Sequence, residues 1–193
     1  MVPETGRFKI KIAMKKSIEK FAAKNLGKEL AAGMDHFQRV YKLAKSLGLK
    51  YDDQVLHAAC FLHDVSEDEP HQKFAAKTAE KFLKSINFPK EKISLVKEAI
   101  LEHVSLGKPK SNEAILLHDA DLLDFLGATG VTRLSIGAWD WMEKDSLEGI
   151  LEVLKRFRKL ASENLVLPKS KKLAKEKIKF MDKAIKQLGK EIK

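Results

Sequence analysis

The residues best equipped for chemistry stand together where an apolar run stops. Val55 to Leu62 reads V-L-H-A-A-C-F-L, then gives way to His63-Asp64, with Glu67 and Asp68 close behind. Ala58 to Leu62 have the composition of a core helix wall, which places the imidazole and carboxylate of His63-Asp64 at the edge of that core. Burying an unpaired carboxylate costs several kcal/mol or drives the group neutral, so the pair calls for a cation, a donor network or open water. A divalent metal answers the demand most directly. A neutral imidazole nitrogen with a hard anionic oxygen suits Mn, Fe, Co, Ni or Zn better than Ca.

Other stretches carry matching groups. Leu117-His118-Asp119-Ala120-Asp121-Leu122-Leu123-Asp124 packs three carboxylates among leucines, an arrangement too apolar for a fully solvated face, so at least one of them should point at something positive. His36 and Arg39 are one helical turn apart and project to the same side. His71 opens an amphipathic segment, and His103 precedes Leu106 to Asn112, the clearest loop of the chain, whose Lys108 and Lys110 make it a basic lip able to face phosphate. A glycine-rich phosphate loop and a Gly-x-Ser-x-Gly nucleophile are both missing, which argues against a P-loop motor and a serine hydrolase. His57 and His118 are read as core histidines, and Phe125, Trp139 and Trp141 as core aromatics.

The elements that must hold these groups are helices. The chain has 193 residues, enough for one well-buried domain, and its 10 Gly and 5 Pro, with 44% hydrophobic and 33% charged residues, fit a helix-rich globule. Helical spacing of apolar residues runs from Met14 to Leu30, then from Asp35, the expected cap, to Gly48. The central helix starts at Asp52 or Asp53, and Pro70 marks its end or a break soon after it. Further helices are expected over His71 to Leu83 (through Phe74, Ala75, Thr78, Ala79 and Phe82), Ile93 to His103, Glu113 to Leu126, about Leu147 to Asn164 and about Lys171 to Ile192. Strand-like alternation is confined to Phe8-Lys9-Ile10-Lys11-Ile12. Lys+Arg 37 against Asp+Glu 27 leaves +10, a field that favours anionic partners such as small phosphorylated molecules and, less strongly, nucleic acid. The lone Cys60 lies inside the apolar run, consistent with a reducing cytoplasm, and neither a signal peptide nor the roughly 20 apolar residues of a membrane span is evident.

Taken together, His36 with Arg39-Val40 after it, His63-Asp64 and Asp121 resemble the H…HD…D pattern of the HD-domain metal-dependent phosphohydrolases. The settings are similar too: "DHFQRVYKLA", "AACFLHDV", "AILEHVSLG", "ILLHDADLLDFLGATGVTR" and the closing "KKLAKEKIKFMDKAIKQLGKEI" look like the small bacterial and archaeal members. The resemblance implies an all-α HD-domain helical bundle: one domain over 1–193, with an N-terminal extension (1–30), a metal-binding core (31–135) and C-terminal helices packed on it (145–193). It places the metal on His36, His63, Asp64 and Asp121. Asp121 is chosen over its neighbours because the family's ligand follows a small residue and precedes an apolar one; Asp119 and Asp124 would then orient ligands or cap Arg133. "HDVSEDE" is similar to segments of guanosine tetraphosphate hydrolases and HD-type 5′-deoxynucleotidases in which an acidic residue assists the attacking water. The resemblance gives that catalytic role to Glu67 or Asp68, three and four residues from Asp64.

His71 and His103 match places where the broader group adds ligands for a second metal or contacts phosphate. Arg39, His103 and Lys108 are expected to hold phosphate oxygens that do not react. One divalent transition ion (Mn, Fe, Co or Ni, with Mg or Zn as alternates) and room for a second are implied, acidifying a bound water from about 16 toward 7. The expected function is hydrolysis of a phosphate ester or anhydride of a nucleotide or related small molecule. The alternative is a nucleic-acid-associated protein or scaffold whose metal is structural. A homodimer is one option for its assembly.

Overall fold

The computed structural model describes residues 4–26, 33–66, 70–104 and 106–193, and among them every regular element is an α-helix. In chain order these are α1 (Glu4–Asn25), α2 (Met34–Ser46), α3 (Asp53–Leu62), α4 (His71–Ser85), α5 (Lys90–Glu102), α6 (Asn112–Asp124), α7 (Gly127–Met142), α8 (Leu147–Asn164) and α9 (Pro168–Glu191). The all-α expectation holds.

At the centre is α3, buried along its whole apolar run from Val55 to Leu62. Its start is fixed chemically: Asp52 is the N-cap and its side chain accepts the backbone N–H groups of Gln54 and Val55. Around it pack α1, α2, α5 and α6, with α4 seated on α5. Ile18 and Ala22 of α1 enter the core, and Phe21 stacks on Phe82 of α4 with ring centroids 3.8 Å apart. Helix α9 closes the other side, lying against α6, α7 and α8.

Several boundaries differ from the sequence reading. The alternation at 8–12 lies inside α1, where Ile10 and Ile12 are exposed, so its period of two reflects an unburied helix face rather than a strand. The cap of α2 is Gly33, and Asp35 sits in the first turn. Phe74 is exposed on α4, whose core face is Ala75, Ala76, Ala79 and Leu83. Helix α3 ends at Leu62, with His63 as its C-cap, so Pro70 stands as a break beyond the helix rather than as its end. Residues 127–142, for which no helix was expected, form α7, and Trp139 on it is 65% exposed instead of buried. The Trp141 side chain lies outside the described residues.

The α6–α7 junction shows why glycines did not signal a loop there. Gly127 adopts φ +75°, a conformation costly for residues with a Cβ, and a Cβ on Gly130 would lie 2.1 Å from the Phe125 carbonyl oxygen. The two glycines let α7 start two residues after α6 ends, and the end of α6 lies beside the second turn of α7. Asp124 and Arg133 meet as a result.

Candidate metal centre

Three helix ends and one helix flank supply the polar groups at the heart of the bundle. His63 is the C-cap of α3, and its Nδ1 lies 3.0 Å from the carbonyl oxygen of Cys60; His103 is the C-cap of α5, and its Nδ1 lies 2.5 Å from the carbonyl oxygen of Ile100. Each ring therefore donates from Nδ1 to the carbonyl three residues back. His36, on α2, has Nδ1 2.9 Å from Asp124 Oδ2, an acceptor that fixes the same tautomer. All three imidazoles are buried, and with Nδ1 committed to an acceptor each directs Nε2, which carries a lone pair when the ring is neutral, to the centre.

Those Nε2 atoms converge. His36 Nε2 and His63 Nε2 are 3.3 Å apart; Asp121 Oδ1 lies 3.4 Å from the first and 3.9 Å from the second. Asp64 Oδ2 is 3.8 Å from His36 Nε2 and 3.2 Å from His63 Nε2, while its Oδ1 is 3.8 Å from both His103 Nε2 and His71 Nε2. Donors around an ion at about 2.1 Å stand about 3–4 Å from one another, so this spacing suits one. Two triads, His36/His63/Asp121 and His63/Asp64/His103, each have ligand atoms within 4.8 Å. His63 belongs to both.

A second feature fits a cation. Asp121 Oδ1 is buried and receives no hydrogen bond from the described residues. Such a group is costly unless something positive comes to it, and an ion held jointly with the Nε2 atoms of His36 and His63 would meet that demand. Burial opposes charge on His63, but the neighbouring Asp64 and Asp121 push its pKa up to about 9; burial and the charge on His63 push His103 down to about 4. Burial also works against ionisation of Asp64, yet His63, His36 and His103 hold its carboxyl well below the usual range.

Around this centre, Asp124 is saturated. Besides His36 it accepts Arg39 Nε (2.9 Å) and Nη2 (3.0 Å) and Arg133 Nη1 (2.8 Å). Burial would raise its pKa, but these donors hold it far below the ordinary carboxylate value. Arg133 also lies over the Phe125 ring, 4.6 Å from its centroid. Of the two contacts expected of Asp124, it meets Arg133 and also holds His36. Asp119 differs: it accepts the backbone N–H groups of Val166 and Leu167, both at 2.8 Å, and so ties the α8–α9 connection to α6 rather than serving a ligand or Arg133.

The structure thus brings His36, His63, Asp64 and Asp121 together, with His103 and His71 at the edge. Arg39 adjoins the centre through Asp124. Lys108 is exposed in the 106–111 connection and makes no polar contact among the described residues. Glu67 and Asp68 lie outside the described residues; because α3 stops at Leu62, the helical spacing counted from Asp64 does not apply. His57, buried against Glu19 (3.0 Å), belongs to the α1–α3 contact. One participant escaped the sequence reading. Lys177 of α9 reaches the Leu126 carbonyl at 3.2 Å, close enough to Asp124 and Arg39 for their charges to act on it, and nothing distinguishes it in sequence from the many lysines of that helix.

With this geometry in view, comparison with known proteins is informative. The HD domain family model matches residues 33–126. The fold is shared along nearly the whole length with solved structures. A Listeria innocua protein is 26% identical with a TM-score of 0.69, covering 94% of this chain and 97% of its own. The Bacillus subtilis protein YpgQ, solved in complex with ADP, is 22% identical with a TM-score of 0.73, covering 92% and 97%. A Bacillus thuringiensis protein described as an HD-superfamily hydrolase is 24% identical with a TM-score of 0.70, covering 94% and 97%. No curated protein matches the sequence.

Proposed function

We propose that this chain is a metal-dependent phosphohydrolase acting on a phosphate ester or anhydride of a nucleotide or related small molecule. The observation that carries the reading is the convergence of His36, His63, Asp64 and Asp121 from three stretches of the segment that the HD domain model matches, with Asp121 Oδ1 buried and lacking a donor. The Bacillus thuringiensis neighbour is described as a hydrolase, and YpgQ was solved with ADP, which supports a nucleotide as substrate class.

His36, His63, Asp64 and Asp121 would hold a divalent transition ion such as Mn, Fe, Co or Ni, and His103 and His71 could add a second through Asp64. Bound there, such an ion supplies Lewis acidity, lowering the pKa of water toward about 7 and neutralising phosphoryl charge. The rest falls to the chain. Asp124 keeps His36 Nδ1 protonated so that Nε2 stays available, and the Cys60 carbonyl does the same for His63. Glu67 or Asp68 accepts the proton of the attacking water, and Arg39 and Lys108 hold phosphate oxygens that do not react, while His71 and His103 either hold the second ion or contact phosphate, not both.

The test is phosphate release from purified protein supplied with Mn, Co, Ni or Mg, offered nucleoside mono-, di- and triphosphates, cyclic nucleotides, guanosine tetraphosphate and simple phosphate esters. Turnover that requires the metal and disappears in Glu67→Ala or Asp68→Ala, at unchanged metal content and melting temperature, supports the reading. Absence of turnover on every substrate and ion removes it and leaves a structural metal.

A further inference from the structure

The positive surplus is not spread over the molecule. Helix α1 holds seven basic residues against two acidic ones and α9 holds nine lysines against three acids, which leaves 21 basic and 22 acidic residues for the rest of the chain. The excess therefore sits on the two terminal helices. On α1 it is interrupted: Lys15 is tied to Asp53 at 2.6 Å and to the Tyr41 hydroxyl at 3.0 Å, and the exposed Ile10 and Ile12 stand among the other lysines.

On α9 the charge is in line. The helix turns Ser170, Ala174 and Met181 into the bundle, and its opposite side presents Lys172, Lys175, Lys179, Lys183, Lys186 and Lys190, all exposed and three or four residues apart. Acidic groups do little to neutralise this ridge. Asp182 is taken up by Arg158 of α8 at 2.7 and 2.8 Å, Glu191 accepts the Gln187 amide at 2.6 Å, and Glu176 approaches a single ridge lysine, 3.5 Å from Lys179. The neighbouring α8 brings four basic residues and three acidic ones, so it does not cancel the excess. Like charges one turn apart weaken the helix that carries them, a cost that a polyanion laid along the ridge would relieve.

From Lys172 to Lys190 the ridge runs about 27 Å, at about 1.5 Å per residue. A small anion meets one or two of its lysines; a nucleic-acid duplex, with one charge roughly every 1.7 Å, spans them all. A membrane fits less well. The exposed Leu173 and Phe180 each follow a ridge lysine by one residue and so are turned about 100° from the crest, where they do not lead into a lipid surface.

We propose that the outer face of α9 is a docking surface for the phosphate backbone of a nucleic acid. Binding there is independent of sequence, because lysines act as point charges on phosphates and read no base edge. The ligands of the metal centre come from α2, α6 and the ends of α3 and α5, so this surface does not rest on the phosphohydrolase reading.

The probe is a fluorescein-labelled DNA duplex of about 20 base pairs and mixed sequence, titrated with the protein by anisotropy between about 50 and 200 mM salt. Five or six phosphate contacts give a slope of about −5 in log affinity against log salt, a loss of about a thousandfold over that range. The triple variant Lys172→Glu, Lys179→Glu, Lys186→Glu should weaken binding at least about thirtyfold and flatten the slope by about 3, with the helix content retained. Lys9→Glu, Lys16→Glu, Lys20→Glu changes the net charge equally on exposed positions of α1 and should leave affinity within about threefold of wild type. Equal losses in the two triple variants overturn the surface, as does the absence of wild-type binding at the lowest salt. Phosphatidylserine vesicles are the second probe: sedimentation of the wild type with them, lost in the α9 variant while the duplex stays unbound, assigns the ridge to a membrane and overturns the nucleic acid.

Discussion

Asp121 and Asp124 occupy the same helix, three residues apart, and both are at least nine-tenths withdrawn from solvent, yet they live in opposite circumstances. Asp124 accepts four hydrogen bonds from His36, Arg39 and Arg133; Asp121 has an oxygen with no donor at all among the described residues. A buried carboxylate with a full set of partners is part of the framework. One left incomplete points to a ligand. Asp119, on the same α6, completes the set: its partners are two backbone amides, so it anchors chain rather than chemistry.

The comparison can be broken at each position. Replacing Asp124 by Ala removes the carboxylate that the buried Arg133 donates to at 2.8 Å and should cost about 3–5 kcal/mol of stability, read by denaturant unfolding; a loss under about 1 kcal/mol would mean the arginines are held by other acceptors. Asp121→Asn should act in the opposite sense. Metal-loaded activity should fall at least about 100-fold, while the metal-free protein keeps or gains stability, and equal damage to the metal-free melting temperature would erase the contrast. Adding metal at 100 times its dissociation constant should stabilise the wild type by about 2.7 kcal/mol and leave Asp121→Asn nearly unmoved, as chelator titration against the melting temperature would reveal.

Asp119→Ala leaves two amides without acceptors and should cost about 2 kcal/mol, with faster hydrogen exchange at Val166 and Leu167. The smallest effect belongs to Asp52→Ala, worth about 1 kcal/mol at neutral pH as a lost cap. Burial opposes ionisation of Asp52, but Lys92 and the amides of Val55 and Gln54 lower its folded pKa below 3.8. The wild-type advantage is therefore fully present above that value and shrinks as pH falls through it, so stability curves of the two proteins should merge in acid.

What could be read in the sequence was chemical type at fixed positions. His63 and Asp64 drew notice as an imidazole and a carboxylate ending an apolar run, Asp119, Asp121 and Asp124 as three carboxylates among leucines, and His36 and the choice of Asp121 through the H…HD…D resemblance. Partners far along the chain could not be read: Asp119 depends on amides 47 and 48 residues away, and Lys177 matters through where α9 is laid down. Local signals misled in two places. Gly127 and Gly130 look like breakers but are required by a short helix-to-helix connection, and the alternation at 8–12 lies on a helix whose Ile10 and Ile12 meet no core.

The way α3 and α5 stop has an electrical consequence. Both helices finish at a histidine of the central cluster, so both aim their carbonyl ends inward. Each such terminus carries roughly half an electron of negative charge, and the bonds from His63 and His103 Nδ1 offset only part of it. The peptide backbone thus contributes a field that welcomes a cation and resists an anion at that point, independent of any acidic side chain. Sensitivity of metal affinity to where α3 and α5 end, at constant ligand identity, is the property this polarity confers.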